Sequence, residues 1–320
     1  MEANKQPLVS VPVITYNSAK YVLETLESIK AQTYQNIELI ISDDCSTDNT
    51  VELCQQWINK HKDRFVRTEI ITIDINTGVS ANLNRAEAKC LGKWVKSVAG
   101  DDLLMHNCIE NYVNYVTRNK DVVCVFGRVE VFGATEERSV FFNNSIFDYS
   151  FFQLDVQKQL YYLTYEKNCI PASTLFFNRN KFKSLSLECD ESIPLLDDWP
   201  RWIKALISGV KFDFIDITTV LYRLHENSIS TSKFSFGFYR SNFLFDLKYR
   251  YPQWRMNDES EAIEKLSSIH LDTVRELCGD INRLQYEMKA LRNSNAYKVG
   301  KFIVRPFSWF RRILKKMFFE

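Results

Sequence analysis

Aspartate pairs occur at three places in this chain: Asp43-Asp44, Asp101-Asp102 and Asp197-Asp198. Adjacent carboxylates are costly to hold together unless a cation or protons neutralise them. Asp101-Asp102 close the run from Gly92 to Leu104, which reads as a small residue, a buried strand over Trp94 to Val98, and a small-small turn. Open α/β sheets place their ligands at the C-terminal ends of such strands. A hard cation, Mg²⁺ or Mn²⁺, suits carboxylates there because it prefers oxygen ligands and shares them with phosphates. A cap for a helix starting near Leu103 explains the same two residues on this stretch alone. Asp197-Asp198 precede Trp199-Pro200 and a helix to about Ile207, with proline well placed in the first turn and an aspartate as cap. A carboxylate so placed is also the residue type that takes a proton from a hydroxyl.

The elements that must position these residues alternate. LVSVPVITY (8–16) is a buried strand, and helical spacing follows from Tyr21 to about Gln32. IELIIS (37–42) is a second strand running into Asp43-Asp44, and Ser46 to Asp48 can cap the next helix. Thr68 to Ile75 is a third strand, Ala81 to Cys90 a helix, Met105 to Arg118 a helix and Val122 to Val131 a strand. Strand-helix alternation implies a parallel sheet with helices on its faces. Parallel strands deliver Tyr16-Asn17, Asp43-Asp44 and Asp101-Asp102 to one edge, where a crevice could hold a base, a ribose and a diphosphate.

Further along, Val156 to Tyr165 is a helix, Ala172 to Phe177 a short strand, and Lys211 to Ile215 and Thr219 to Arg223 two more strands. Phe234 to Tyr251 is an aromatic helix. Asp258 to about Leu291 carries apolar residues at three- and four-residue spacing, a pattern suited to pairing two copies. Tyr297 to Phe319 mixes Trp309 and other apolar residues with seven Lys and Arg, as a membrane-surface anchor would. The domains expected are a catalytic domain over 1–232 (nucleotide half 1–104, acceptor half 105–232), a helical extension over 233–296 and a basic tail over 297–320.

Composition excludes several classes. A net charge of +1 gives no global field for nucleic acid. No apolar run follows Met1 and none is long enough to span a bilayer, so neither a signal peptide nor a membrane span is expected. The eight Cys are scattered, without metal-ligand spacing, and read as reduced thiols of a cytoplasmic protein.

SVPVITYNSAKYVLETLESIKAQTYQNIELIISDDCSTDNT resembles the opening of family-2 glycosyltransferases of the GT-A fold. The blocks NTGVSANLNRAEAKCLGKWVKSVAGDD and LLDDWPRWIK are similar to later motifs of that family. The likeness covers about residues 8 to 230 and is greatest to bacterial enzymes that build surface polysaccharide. It implies a Rossmann-like, mostly parallel α/β sheet and transfer of a sugar from a nucleotide donor, with inversion at the anomeric carbon. Thr15, Tyr16, Asn17 and Gly100 then contact the nucleotide, and Asp43-Asp44 stand where a carboxylate reads the base. The family's Arg-Asn pair is here Leu83-Asn84, so Asn84 matches and Arg85 is the nearest substitute for the missing arginine. The family's Asp-x-Asp is here Ala99-Gly100-Asp101: the first carboxylate is absent and Asp101 remains as direct metal ligand, followed by Asp102. Asp198 matches the catalytic base, with Asp197 beside it, and Trp199 either stacks near the acceptor sugar or belongs to the core. His225, in a segment similar to the family's late Arg-x-x-His or Arg-x-His, is then a further metal or diphosphate ligand, with Arg223 close to the donor.

These implications lead to a metal-assisted displacement on a UDP- or other nucleotide sugar, with a glycan or lipid-linked glycan as acceptor on the cytoplasmic face of a bacterial inner membrane. Two other readings use the same residues. One is a sugar- or nucleotide-binding protein that lost activity with the Ala99 change. The other is a sugar nucleotidyltransferase, which would want a Gly-rich phosphate loop that SVPVITYN lacks.

Overall fold

The computed structural model describes residues 6–133, 147–193, 195–225 and 236–271, with positions 286 and 289 besides. The organising strand is β1 (Val9–Thr15), β-branched through most of its length and buried on both faces. It pairs in parallel with β2 (Ile37–Asp43), from Val9↔Ile37 to Thr15↔Asp43, and β2 pairs in parallel with β3 (Arg67–Thr72). The connections are α1 (Val22–Lys30) and α2 (Thr50–His61). Then follows α3 (Val79–Ala88), which leads to the other side of β1.

There the single strand expected over Trp94 to Val98 is two: β4 (Trp94–Val95), pairing with Val9 and Ser10, and β5 (Val98–Ala99), pairing with Val13 and Ile14. The break at Lys96-Ser97 has a physical cause. The carbonyls of Ser10 and Ile14 accept from the N–H of Lys96 and Gly100, so alternate residues 10, 12 and 14 present their backbone to this side. Residue 12 is proline, which has no N–H for the ladder.

Beyond β4 the sheet becomes mixed. Its order is β3-β2-β1-β4-β8-β7-β9-β6, where β6 is Leu103–Leu104, β7 Cys124–Phe132, β8 Phe176–Asn178 and β9 Phe212–Arg223. Strand β8 runs antiparallel to β4 and β7, β7 and β9 are parallel, and β6 is antiparallel to β9. Four expectations change here. Leu103-Leu104 pair with Leu221 and Val220, so no helix begins there for Asp101-Asp102 to cap, and α4 starts at Cys108 (Cys108–Arg118). The two strands after Lys211 are one, because Ile215 to Thr218 continue along β7 past a bulge. Residues Ala172–Thr174 form a 3₁₀ turn before β8. The aromatic helix is divided into α8 (Phe236–Phe245), a π-helical turn (Asp246–Arg250) and α9 (Tyr251–Arg255). The intervening helices are α5 (Val156–Tyr165), α6 (Arg179–Ser184) and α7 (Trp199–Ile207).

The sheet separates two apolar cores. Val9, Val11, Val13, Leu39 and Ile41 pack with α1, α2 and α4, while Ile40, Val95 and Phe126 face Phe151, Trp202 and Phe212. The chain forms two compact units, Met1–Ala262 and Ile263–Glu320. Residues 259–271 are helical. The rest of the expected long helix apart from 286 and 289, the tail from Tyr297, the loop 228–232 and residues 141–146 of the aromatic stretch lie outside the described residues. None of the described helices is long and apolar enough to cross a membrane. The seven described cysteines are unpaired thiols, as their scatter implies.

Candidate functional site

Strands β1 and β2 end side by side because their register runs to Thr15↔Asp43. Thr15 Oγ1 donates to Asp43 Oδ1 at 2.8 Å, and Ser46 gives Asp43 its N–H (2.7 Å) and its hydroxyl (2.6 Å). Asp44 accepts from Thr77 N–H and Oγ1, Gly78 N–H and Arg85 Nη2, two bonds on each oxygen. A carboxylate offers about four acceptor positions, so Asp44 is saturated and Asp43 keeps one. Burial pushes the Asp44 carboxyl up, but the Thr77 hydroxyl, Arg85 and the two N–H groups outweigh it and hold it below the usual carboxylate range. Arg85 also donates to Ser42 and Asn82, so its guanidinium belongs to this corner. Asn17, at φ 50°, receives Thr47 N–H on its side-chain oxygen and tightens the lip, and Tyr16 beside it is 52% exposed. Asn84 is not brought here: its amide exchanges hydrogen bonds with the backbone of Cys189 and donates to Glu191.

Asp101 follows Gly100, where a Cβ would lie only about 3 Å from the side chains of Thr15 and Ser18. Asp101 Oδ2 lies 2.9 Å from His225 Nε2, and the His225 ring lies tilted beside Tyr21 with ring centres 5.0 Å apart. Arg223 fixes the assembly. Its Nε donates to the Asp101 carbonyl, its N–H to Asp102 Oδ1 and its Nη2 to Glu24, while its guanidinium lies over Tyr21 and Phe132. Asp102 is buried; desolvation and the neighbouring Asp101 raise it well above the ordinary range, so it is a framework residue rather than an open ligand. Beneath the strand, fully buried Lys96 donates to the carbonyls of Ser97 (2.7 Å) and Ser173 (2.6 Å), and burial pulls its ammonium down to about 8.

Octahedral Mg²⁺ with bonds of about 2.1 Å holds neighbouring ligand atoms about 3.0 Å apart. The 2.9 Å between Asp101 Oδ2 and His225 Nε2 is that of a hydrogen bond, and it equally matches the spacing of two ligands on one ion. No cluster of three or more metal-ligating side chains occurs among the described residues. An ion here would take its other ligands from substrate and water.

Asp198 is the N-cap of α7, its Oδ1 accepting Trp199 N–H at 2.6 Å and its Oδ2 accepting Asn168 Nδ2 at 2.8 Å. Asp197 and Asp198 line a cavity of about 30 Å³ with Leu83, Ser97, Arg201 and Trp202. Burial raises both carboxyls. The Asp198 charge adds to the rise of Asp197, to about 7, while Asn168 and the Trp199 N–H pull Asp198 back. Trp199 turns from the cavity into the core, with Nε1 on the Leu163 carbonyl and its ring 4.5 Å from Phe245. The break between β4 and β5 meets this cavity at Ser97, four residues before Asp101, which joins the second carboxylate pair to the first.

Residues 10–182, more than half of the chain, match the model of Glycosyl transferase family 2. The chain is a family-2 glycosyltransferase. The transferase is 29% identical over 247 residues to a UDP-Glc:alpha-D-GlcNAc-diphosphoundecaprenol beta-1,3-glucosyltransferase, WfaP of Escherichia coli, across 74% of this chain and 85% of that one. It is 26% identical over 238 residues to glycosyltransferase GlyG of Streptococcus pneumoniae (73% and 76%). Among solved structures it is similar to S. aureus TarS 1–349 in complex with UDP-GlcNAc, with a TM-score of 0.59 and 18% identity over 83% of this chain and 72% of that one. It is also similar to the mannosyltransferase PcManGT of Pyrobaculum calidifontis in complex with GDP-Man and Mn²⁺, at 0.57 and 17% over 93% and 84%. At these identities the likeness is one of fold, and the fold is GT-A. Sequence reasoning missed Thr77, Ser46 and Asn82 of this glycosyltransferase. For Ser46 and Thr77 the signal was present as small polar residues in the loops that follow β2 and β3, where a buried carboxylate needs donors, whereas Asn82 lies on α3 and donates to the Thr15 carbonyl.

Proposed function

We propose that this glycosyltransferase moves a sugar from a nucleotide-sugar donor, with a UDP-sugar favoured, to a glycan hydroxyl with inversion, and that Asp198 is the base. The observation that carries the reading is the Asp198 carboxylate: ordered by two hydrogen bonds, set beside a second carboxylate and open to a cavity. An inverting displacement needs a carboxylate to take the acceptor proton as the diphosphate leaves on the opposite side. Thr15, Tyr16, Asn17 and Gly100 form the nucleotide lip, Asp43 keeps an acceptor position for a base N–H, and Asp44 with Arg85 holds the corner. Asp101 and His225 would hold a Mg²⁺ or Mn²⁺ ion, which supplies Lewis-acid stabilisation of the leaving diphosphate. Arg223 and Asp102 keep that pair in place, and Asp197 tunes Asp198.

The acceptor follows from relatives by likeness: WfaP acts on a diphosphoundecaprenol-linked GlcNAc. A lipid-linked glycan at the cytoplasmic face of a bacterial membrane, reached through the basic tail 297–320, is the corresponding proposal here, in polysaccharide synthesis of the cell envelope. The catalytic domain over 1–232, an extension over 233–296 able to pair two copies, and that tail complete it.

Replacing Asp198 by Asn removes the base and keeps the helix cap. Transfer should fall by about 10²–10⁴-fold, with UDP affinity by calorimetry near that of the parent protein. Wild-type turnover in that variant would end the assignment. Steady release of nucleotide from a donor by the parent protein would exclude a purely binding role.

A further inference from the structure

The buried pair Glu87–Arg201 has no place in the reaction so far described. Arg201 lies three residues after Asp198 on α7 and is 3% exposed. Its Nη1 and Nη2 donate to the two carboxylate oxygens of Glu87 on α3, at 3.2 and 2.5 Å, and its Nε donates to the Leu187 carbonyl at 2.6 Å. The guanidinium lies 5.1 Å from the ring centres of both Phe177 and Phe182. Glu87 also accepts the Ser97 hydroxyl at 3.2 Å. One carboxylate thus ties together α3, whose Arg85 and Asn82 build the nucleotide corner; Ser97 in the break between β4 and β5, on the way to Asp101; and α7, which Asp198 caps.

Burying an ion pair is weak support for a fold, since apolar residues of the same volume would serve as well. This pair sits where charge matters: Arg201 lines the same cavity as Asp197 and Asp198. We propose that Glu87–Arg201 is the positioning pair of the transfer site, fixing the base helix to the donor helix and setting the charge felt by the Asp197–Asp198 carboxylates. The proposal rests on the reading of Asp198 as base.

The groups around those carboxylates are few. From α3 comes Glu87; from α7 come Arg201 and Trp202; from the turn before the 3₁₀ segment comes Asn168. Cys189 stays a neutral thiol through burial, and the Lys204 ammonium is taken up by the Ser186 and Glu188 carbonyls. Lys96, below Ser97, is held by two carbonyls. Among the charges felt by Asp197, Arg201 favours its ionised form more than Glu87 opposes it.

The two partners therefore have opposite signs. Removing Arg201 makes the carboxylates harder to ionise, and neutralising Glu87 leaves Arg201 uncompensated and makes them easier to ionise. The test is the acidic limb of kcat/KM for sugar transfer across about pH 5 to 8.5, in Arg201→Met, Glu87→Gln and the double variant. Arg201→Met should move the limb up by about one pH unit, with transfer at neutral pH reduced and recovered on raising the pH. Glu87→Gln should move it down, and the double variant up, by less than Arg201→Met. UDP affinity should stay within about twofold where the site is intact. If Glu87→Gln fails to fold, Arg201→Met and the double variant still test the upward shift. Limbs that stay at the parent position, or that all move one way, overturn the pair's role. Asp198→Asn separates the two claims: full transfer in that variant removes the base itself, whereas loss of transfer with unmoved limbs removes only the positioning pair.

Discussion

Asp44 holds its corner with every acceptor position engaged, so its replacement is a test of architecture before it is a test of binding. Asp44→Ala leaves Arg85, Thr77 N–H and Gly78 N–H without their acceptor and should cost about 3–5 kcal/mol, as breaking a buried pair does, read as a lower thermal midpoint. Its pH dependence has a definite sign. The folded carboxyl sits below its ordinary value, so its stabilisation is complete above about pH 4 and is lost as pH falls further. Asp197 behaves in the opposite sense. Its value is raised to about 7, so ionisation opposes the fold increasingly as pH climbs from the ordinary carboxylate range toward 7. Asp101→Ala removes one of the two proposed protein ligands, and Mn²⁺ should then no longer tighten UDP binding in calorimetry. Unchanged metal-dependent affinity would exclude Asp101 as a ligand. At this scale the chain was legible in position, with Asp43 closing β2 and Asp198 capping α7 where apolar runs and turn residues put them. Asn84 was read for its motif, and the structure spends its amide on Cys189 and Glu191. Nothing in a linear motif tells which of several polar side chains on α3 faces the crevice. Glu87 and Arg201 stayed hidden because their partnership spans 114 residues.

Gly92 shows how elements set the site. It follows α3 and precedes β4, and its N–H is shared by Ser10 Oγ and Glu38 Oε1. A Cβ there would lie 2.7 Å from Ser10 N and 2.8 Å from Leu8 O, both backbone atoms that cannot yield cheaply. Gly92→Ala should therefore destabilise by about 1–3 kcal/mol, measured by chemical denaturation. It should also loosen β4 against β1 in amide exchange. Sequence reasoning placed β1, β2 and α5 within a residue or two because apolar periodicity and caps agreed. It erred where a short segment's partner decides its form. Leu103-Leu104 are a strand only because β9 lies beside them, and residues 212–223 are one strand because β7 is long enough to pair past a bulge.

Over the whole molecule, the first compact unit continues to Ala262, well past the motifs. The reason lies in contacts around the π-helical turn. Arg250 Nε and Trp254 Nε1 both donate to the Thr164 carbonyl, and Lys248 and Tyr249 both donate to Asp190. A chain ended after Ala262 should retain a cooperative thermal transition and UDP binding. It should also lose the sedimentation with anionic vesicles expected of the full chain through residues 297–320. Vesicle binding that survives the cut would place the membrane contact elsewhere. Pro12 has a consequence of the same breadth. A two-residue slide of β4 and β5 along β1 in either direction, which keeps every side chain on its own face, would bring Val95 or Ala99 opposite position 12, where no N–H exists to meet it. The observed alignment puts the gap at Lys96-Ser97 against positions 11 and 12, and a one-residue slide would turn the buried side chains to the other face. Pro12 therefore serves as an index mark for strand register, and it sets how far along the sheet edge Asp101 comes to rest.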